Sequence, residues 1–503
     1  MLSPALLGAQ YHYDFNWYIG YGYNLQDPLI DVAHFNFKNG FNLSIDTVGL
    51  KLSGQNITMS NAEGELLFYS NGCEIRNAQH ELIPGSDPLL PGEDDDIFCS
   101  ASFAAMVHAQ TMLSIPFEIS PDTTLYYIYQ RRDTFGNING VEDLYGEFRE
   151  HLISEYNGKL TLRYKDSLVT GNYNYTGFFD AVKHANNEDW WLIYPFHSQN
   201  AFESVLITDS GSKGGMLHVT SNYAGPTISG YGRSSGQLDA SLQGNSLAMF
   251  LDNSEFFYLS FDRQTGKVNV LNRDTLPIPD AFITRGTQFS PNGRFIYVSV
   301  DSFLYQLDTE SPQFPMDPEL IATTYKDHPS GRKDDISLMQ LGPDCKIYIN
   351  TFSNTDFYHV IHRPNEKGED CMVEVRAIRL KTLNERTIPL FPNYRLGTPE
   401  ENWCDSILDD TTSTTFQFQE KQKYWQIWPN PVQHTLHIGH EDGNFGLNAV
   451  HIYNTQGQLV KSASFNALST TYTMNVVDLP AGLYFVELHP RFDRTTTLRM
   501  VKR

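Results

Sequence analysis

The chain repeats one local pattern, and that repetition limits the folds open to it more than any other feature. A turn built from Asn, Pro, Asp or Gly leads into a strand rich in Tyr, Ile, Leu and Val; a second strand and another turn follow. The pattern starts at Ser60 (SNAEGELLFYSNG), Ser120 (SPDTTLYYIYQ), Ala185 (ANNEDWWLIYPF), Leu251 (LDNSEFFYLSFDRQTG), Ser290 (SPNGRFIYVSVDSFLYQLD) and Gly342 (GPDCKIYINTFSNTDFYHVI). The turn residues accept tight or left-handed geometry, and β-branched and aromatic runs fit a pleated surface, so each unit reads as a β-hairpin. The copies at Ser290 and Gly342 share a Pro-Asn/Asp turn followed by Ile-Tyr and lie 52 residues apart, near the period of about 40–50 residues of propeller blades. A further unit is expected to be shared by the two ends of the domain, WYIGYG and VAHFNFKNG early and IPLFPNYRLG late, closing the ring. The reading is all-β: a β-propeller of seven blades over residues 10–408, with six or eight as alternatives.

Composition agrees. A chain of 503 residues exceeds what one core usually organises. Its 13% aromatic content, with 36 Gly and 25 Pro, suits many short strands joined by turns. Each blade of a ring packs between two neighbours, so both rings of the pair Trp190 and Trp191 are expected in the core rather than stacked on a ligand. The net charge of −23 repels phosphate backbones and anionic lipid, which argues against a nucleic-acid partner. No run of eighteen apolar residues is present, so no transmembrane helix is expected. The opening MLSPALLGAQ is apolar and ends in Leu7-Gly8-Ala9; residues 1–9 read as the remnant of an export signal, the alternative being a loose apolar arm. Five cysteines (Cys73, Cys99, Cys345, Cys371, Cys404) show no CxxC or Cys/His metal spacing, which leaves disulfides or buried thiols.

After Cys404 the texture changes. DDTTSTTFQFQEKQ is polar and Thr-rich without apolar periodicity, so residues 409–423 read as a linker. Residues 424–503 carry short strand candidates at TLHI, AVHIYNTQGQLVKSASF, TYTMNVV, GLYFVELHP and TTLRMVKR, at the spacing of an Ig-like β-sandwich. From Tyr424 onward six Lys/Arg face five Asp/Glu, so the acidity belongs to the first domain.

Three motifs in that last stretch recur together in one family: Pro429-Asn430-Pro431, the hairpin Tyr453-Asn454-x-x-Gly457-Gln458, and the step Asp478-Leu479-Pro480-Ala481-Gly482-x-Tyr484, ending on a basic strand. With them, Trp428 to Arg503 resembles the type A C-terminal sorting domain of type IX secretion cargo in Bacteroidota; Trp428 stands where Tyr is usual. The resemblance implies Sec export to the periplasm and then passage to the cell surface or the medium. The partners it implies are the type IX translocon and its sorting machinery. It further implies removal of the domain and attachment to surface lipopolysaccharide. The first domain, from about Trp17 to Ser406, resembles propeller-like regions of uncharacterised Bacteroidota surface proteins, carried by GELLFYSNGCEIRNAQHELIPGSDPLLPG, QFSPNGRFIYVS, MQLGPDCKIYIN and LFPNYRLGTPEENWCDS. Cys345 stands where that pattern has Gly and is therefore left unpaired, with Cys73 joined to Cys99 and Cys371 to Cys404.

No catalytic residue is assigned. The run Glu93, Asp94, Asp95, Asp96 offers carboxylates to Ca2+, but adjacent side chains of an extended loop diverge and no EF-hand spacing is present, so a solvated loop is expected. His434, His437 and His440 lie on one strand, where alternation and about 20 Å between the outer two prevent one ion from bridging them. SGYGRSSGQ (Ser229 to Gln237) lacks the Gly-Lys-Ser/Thr ending of a P-loop and reads as a connection. His184 either faces the funnel or bonds a neighbouring blade, the latter being expected. Two function classes follow: a surface propeller that binds a glycan or another envelope protein without cofactor, or a hydrolase, lyase or lactonase holding Ca2+ or another divalent ion in the funnel. Three carboxylates or histidines from different blades meeting at the axis would favour the second.

Overall fold

The computed structural model describes residues 11–20, 30–54, 56–92, 99, 110, 112–138, 141–173, 178–196, 200–212, 217–224, 236–251, 254–278, 285–324, 335–352, 354–398, 403–404, 425–440, 447–465, 471–490 and 496–503. The chain divides into two compact units, Met1–Thr323 with Asp334–Asp409, and Thr324–Lys333 with Asp410–Arg503. Residues 1–9, the acidic run 93–96, Ser229 to Ser235 and the linker 409–423 lie outside the described residues.

Seven antiparallel sheets form the first unit among the described residues. Two have three strands: β1 (Asn16–Ile19), β2 (Ile30–Asn36) and β3 (Asn42–Val48), then β4 (Ile57–Ser60), β5 (Leu66–Ser70) and β6 (Ile75–Asn77). Five have four. The third sheet holds β7 (Met112–Ser120), β8 (Thr123–Ile138), β9 (Val141–Tyr156) and β10 (Lys159–Tyr173). The fourth holds β11 (Asp180–Lys183), β12 (Trp190–Phe196), β13 (Ala201–Ile207) and β14 (His218–Asn222). The fifth holds β15 (Gly236–Ala240), β16 (Ser246–Leu251), β17 (Glu255–Asp262) and β18 (Lys267–Thr275). In the sixth are β19 (Thr287–Phe289), β20 (Phe295–Val300), β21 (Phe303–Asp308) and β22 (Glu319–Thr323). The seventh comprises β23 (Met339–Leu341), β24 (Ile347–Ile349), β25 (Thr355–Ile361) and β26 (Val373–Asn384).

Buried apolar side chains fill each seam between successive sheets. Tyr18 and Val32 of the first sheet pack with Tyr69 of the second. Phe68, Tyr126, Phe148 and Tyr194 join the second, third and fourth. Trp191 and Phe202 meet Leu247 and Phe257 across the next seam. Phe250 and Phe256 then meet Ile296 and Val298, and Phe295 and Tyr297 meet Ile347 and Ile349. Tyr348 and Tyr358 of the seventh sheet pack back onto Trp17 and Phe35 of the first, which closes a seven-bladed propeller. Sandwiching explains the burial: β12, β16 and β20 are buried on both faces, whereas the outermost β14, β18 and β22 alternate or face water. Trp190 and Trp191 point to opposite faces of β12, one into each adjoining seam. Each such fully buried side chain contributes about 1.5–3 kcal/mol relative to exposure.

The repeated turn has one conserved backbone demand. Gly64, Asn187, Gly244, Gly293 and Cys345 occupy its left-handed position, with φ of 79°, 63°, 69°, 74° and 63°. Glycine adopts that region freely and Asn tolerates it; Cys does so at a cost.

Two expectations need correction. The two ends of the domain do not share a blade: β1–β3 make the first sheet alone, and IPLFPNYRLG (388–397) forms no strand, because Pro389 and Pro392 cannot donate to a ladder. The cysteine pairing also differs. Cys73 is bonded to Cys99 (Cα–Cα 5.6 Å), but Cys404 is bonded to Cys345 (Cα–Cα 5.5 Å) and Cys371 is a buried free thiol. The turn presents Cys345 to the segment around Trp403, whose indole Nε1 donates to the Pro343 carbonyl at 3.0 Å; Cys371 faces the apolar seam of the sixth and seventh blades instead, and burial pushes its thiol up to about 11. The third blade carries the two longest strands among the described residues, β8 and β9, of sixteen residues each. β8 and β9 stay paired to Ile138–Val141, and among the described residues β10 accompanies β9 as far as the Tyr173–Gly146 pair. Past that pair the described hairpin continues for five residues as a two-stranded arm of about 17 Å at about 3.3 Å per residue.

The second unit is a sandwich of two sheets. Its strands are β27 (Trp425–Trp428), β28 (Thr435–His440), β29 (Leu447–Tyr453), β30 (Leu459–Ser464), β31 (Thr471–Asn475), β32 (Gly482–Pro490) and β33 (Thr496–Lys502). The sheet orders are β27-β28-β31 and β30-β29-β32-β33. Strict alternation in β31 and β33 sends Tyr472, Met474, Leu498 and Met500 into a core with Trp425, Val450, Ile452, Val486 and Leu488. The sequence reading missed only β27, a strand of four residues. Among the described residues no helix is long and apolar enough to cross a membrane.

Candidate functional site

Two places in the fold gather polar groups in a built arrangement: the axis of the ring and the three motifs of the sandwich.

At the axis the innermost strands are laced by carboxamides and two carboxylates. Gln237 Nε2 donates to the Met339 carbonyl at 2.7 Å, and its Oε1 accepts from the Thr287 and Met339 amides at 3.2 and 3.1 Å. Gln288 donates to Asp239 Oδ1 at 2.9 Å and accepts from the Leu341 amide at 3.1 Å. Asp239 Oδ2 accepts from the Phe289 amide at 2.6 Å, and Asp180 Oδ2 from the Ala240 amide at 3.0 Å. Burial lifts the Asp180 carboxyl to about 7. Burial, with the neighbouring Asp180 charge adding to it, holds Asp239 well above the usual carboxylate range. These groups tie blades together, each oxygen of Asp180 and Asp239 accepting one hydrogen bond.

The segment after β26 crosses this axis as a strap. Gln340 Oε1 accepts from the Phe391 amide at 3.2 Å, Asn393 Nδ2 donates to the Leu242 carbonyl at 2.8 Å, and Tyr394 OH donates to the Ser114 carbonyl at 2.8 Å. Arg395 then forms a buried two-point ion pair with Asp14, at 2.7 and 2.9 Å. Phe391 and Pro392 line the same axial cavities as Asp180 and Asp239. Among the described residues, the one group of three His, Cys, Asp or Glu ligand atoms lies in the sandwich and not at the axis.

In the sandwich each motif has a distinct mechanical part. Asn430 stands between two prolines that cannot donate; its Nδ2 donates to the Arg499 carbonyl at 2.8 Å and its Oδ1 accepts from the Val501 amide at 2.9 Å. Val432 adds backbone bonds to Val501 and Arg503 at 2.8 and 2.9 Å, so Pro429, Asn430 and Pro431 hold the last strand in place. Asn454 Oδ1 accepts from the amides of Gln456 and Gln458 at 3.0 and 2.9 Å, and Gly457 (φ 77°) supplies the left-handed step of that hairpin. Tyr453 OH donates to Glu487 Oε2 at 3.0 Å. In the third motif Tyr484 OH reaches back to the Pro480 carbonyl at 2.9 Å over the buried Leu479, Gly482 pairs with Lys502, and Asp478 meets Lys461. Ala481 is exposed on the same step. The first and third motifs meet on β32–β33, although about fifty residues separate them in sequence, whereas the second turns the β29–β30 hairpin and reaches β32 through Tyr453.

The remaining candidates sit elsewhere. His184 bonds the Gln264 carbonyl of the next blade at 3.2 Å, away from the axis. His434 is exposed, and His437 stacks on Trp428 with ring centroids 5.7 Å apart. Gln237, the last residue of the Gly-rich stretch, belongs to the axial belt. Sequence reasoning did not anticipate that belt or the strap; the signal available was a Gln or Asp two residues before the turns that start at Ser241, Ser290 and Gly342 (Asp239, Gln288, Gln340).

A family model described as a secretion system C-terminal sorting domain matches residues 426–503. No match to the chain was found among curated proteins. Among solved structures the chain is similar to Hsv2 of Kluyveromyces lactis, at 8% identity over 69% of this chain and 92% of that one, with a TM-score of 0.35. It is also similar to a functionally unknown protein of Desulfotomaculum acetoxidans, at 13% identity over 69% and 92%, TM-score 0.35. A third similarity is to the periplasmic gluconolactonase PpgL of Pseudomonas aeruginosa, at 11% identity over 91% and 98%, TM-score 0.34.

Proposed function

We propose that this chain, a secreted or cell-surface type IX cargo carrying a β-propeller ahead of its sorting domain, uses the propeller to bind a partner and performs no chemistry at its axis. The partner class is a surface glycan or another envelope protein. We further propose that the sandwich over 424–503 is handed to the translocon as a folded unit behind the linker 409–423, with the β32–β33 edge and its supports at Pro429–Pro431 and Asp478–Tyr484 as the recognised face.

The observation that carries the binding reading is the strap. Phe391 and Pro392 line the space where a funnel metal and its substrate would sit, and the axial Gln and Asp side chains are spent on neighbouring blades. Contact area lies instead on the rim and on the arm that extends β8 and β9 beyond the blade. An arm of two long paired strands has its backbone bonds satisfied internally, so it can project and still present a defined surface.

The test is a glycan and envelope-extract binding screen on the full chain, run beside ester, lactone and glycoside turnover assays with Ca2+ and with chelator. Binding lost when residues 133–146 are replaced by a short turn, with no turnover in either condition, is the expected result. Turnover that falls on Asp180→Asn or Asp239→Asn would overturn the reading in favour of the funnel enzyme.

A further inference from the structure

We infer that the sorting domain carries a site for a divalent transition metal of the zinc class, formed by His451, Glu487 and His489 on the outward face of its four-stranded sheet. The register builds it. His451 of β29 lies directly opposite Glu487 of β32, and His489 follows two residues later on the same face. His489 Nε2 is 3.0 Å from His451 Nδ1 and 3.0 Å from Glu487 Oε2, and His451 Nδ1 is 3.5 Å from the same oxygen.

In the metal-free form a proton on one imidazole nitrogen bridges these atoms, and a metal ion taking its place would engage all three at once. Ligands about 2.0–2.1 Å from a tetrahedral ion are about 3.3–3.4 Å apart, close to the spacings present without any movement of the strands. An ion at that distance would lie roughly 1 Å off the plane of the three atoms, on the solvent side, with a remaining coordination position open to water or to a donor from a partner. All three side chains are about one-third exposed, so an ion has a route in.

The surroundings suit ligation. Tyr453 OH donates to Glu487 Oε2 at 3.0 Å and fixes the carboxylate, the outer support that metal-binding carboxylates commonly have. Two imidazoles and one carboxylate favour Zn2+, Co2+, Ni2+ or Cu2+ over Ca2+ or Mg2+, which want an all-oxygen shell.

The experiment is a titration of the chelator-treated full chain with Co2+, read by its visible absorption, and then displacement by Zn2+. One tight equivalent is expected in the unmodified chain and in His437→Ala. It should weaken roughly 100-fold in His489→Ala and in Glu487→Gln, and about tenfold in Tyr453→Phe. Ca2+ should displace nothing. These side chains are partly exposed, and unchanged near-ultraviolet circular dichroism will show that the variants fold. An unmodified chain with no saturable equivalent would overturn the assignment. So would equal binding by His489→Ala and Glu487→Gln, or loss of binding in His437→Ala.

Discussion

Asp14→Ala will lower the stability of the ring by about 3–5 kcal/mol, the usual cost of removing one partner from a buried ion pair. The Asp14 carboxylate and the Arg395 guanidinium are almost fully buried and meet through two parallel hydrogen bonds. Arg395 also lies over the rings of Trp403 and Phe15, at 4.6 and 5.6 Å from their centroids. Left without Asp14, its charge would stay in a site that water does not reach. The pair joins the residues entering the first blade to the strap that leaves the last one, so its loss loosens ring closure as well as local packing. Urea unfolding, followed on the transition of the ring, measures the effect. The double substitution Asp14→Asn, Arg395→Met should be less harmful than the sum of the two single changes, since it leaves no lone charge behind. A loss under about 1 kcal/mol for Asp14→Ala would contradict the strap as a structural closure.

Breaking the second disulfide will have a similar effect. Cys345 and Cys404 are 59 residues apart in sequence, and a crosslink closing a loop of that length contributes up to about 4 kcal/mol by restricting the unfolded chain. The backbone adds a distinguishing detail, because Cys345 sits at φ 63°. Of two variants that both lack the bond, Cys345→Gly with Cys404→Ala should be more stable than Cys345→Ala with Cys404→Ala by about 1 kcal/mol. Thermal or urea unfolding of the oxidised chain against both variants gives the two differences. Equal stability of all three would remove the disulfide from the account of the fold.

What could be read in advance followed local chemistry. The turn that recurs through the ring needs a left-handed residue, and Gly64, Gly244 and Gly293 mark it in plain sequence; the aromatic runs after it, buried on both faces, revealed the stacked sheets. Cys345 misled for the same reason, since a residue standing in for glycine looked like a substitution and was a crosslink. The strap was hidden because IPLFPNYRLG has the apolar character of a strand, and its two prolines were weighed less than that character. The arm of the third blade carries no turn signal where the blade ends, so only pairing register reveals it. His451, Glu487 and His489 were invisible for a topological reason: β29 pairs with β32 across two intervening strands, and no local spacing shows which side chains that brings together.

The sandwich was the most legible part because its motifs are short and each does a local job: Asn430 clamps, Asn454 turns, and Tyr484 reaches back. The placement of Asn430 and of the Asp478–Tyr484 step beside β33 gives the proposed recognition face a physical basis. A folded terminal edge, held by side-chain hydrogen bonds and nearly neutral overall, can be presented to a machine independently of the acidic ring before it.

The decisive measurement is the distribution of the ring between periplasm and the cell exterior when residues 425–503 are deleted, in a host with a working type IX system. Retention of an intact, folded ring in the periplasm is the predicted result, with the full chain reaching the surface or the medium in the same cells. Equal arrival of the truncated ring outside the cell would contradict it.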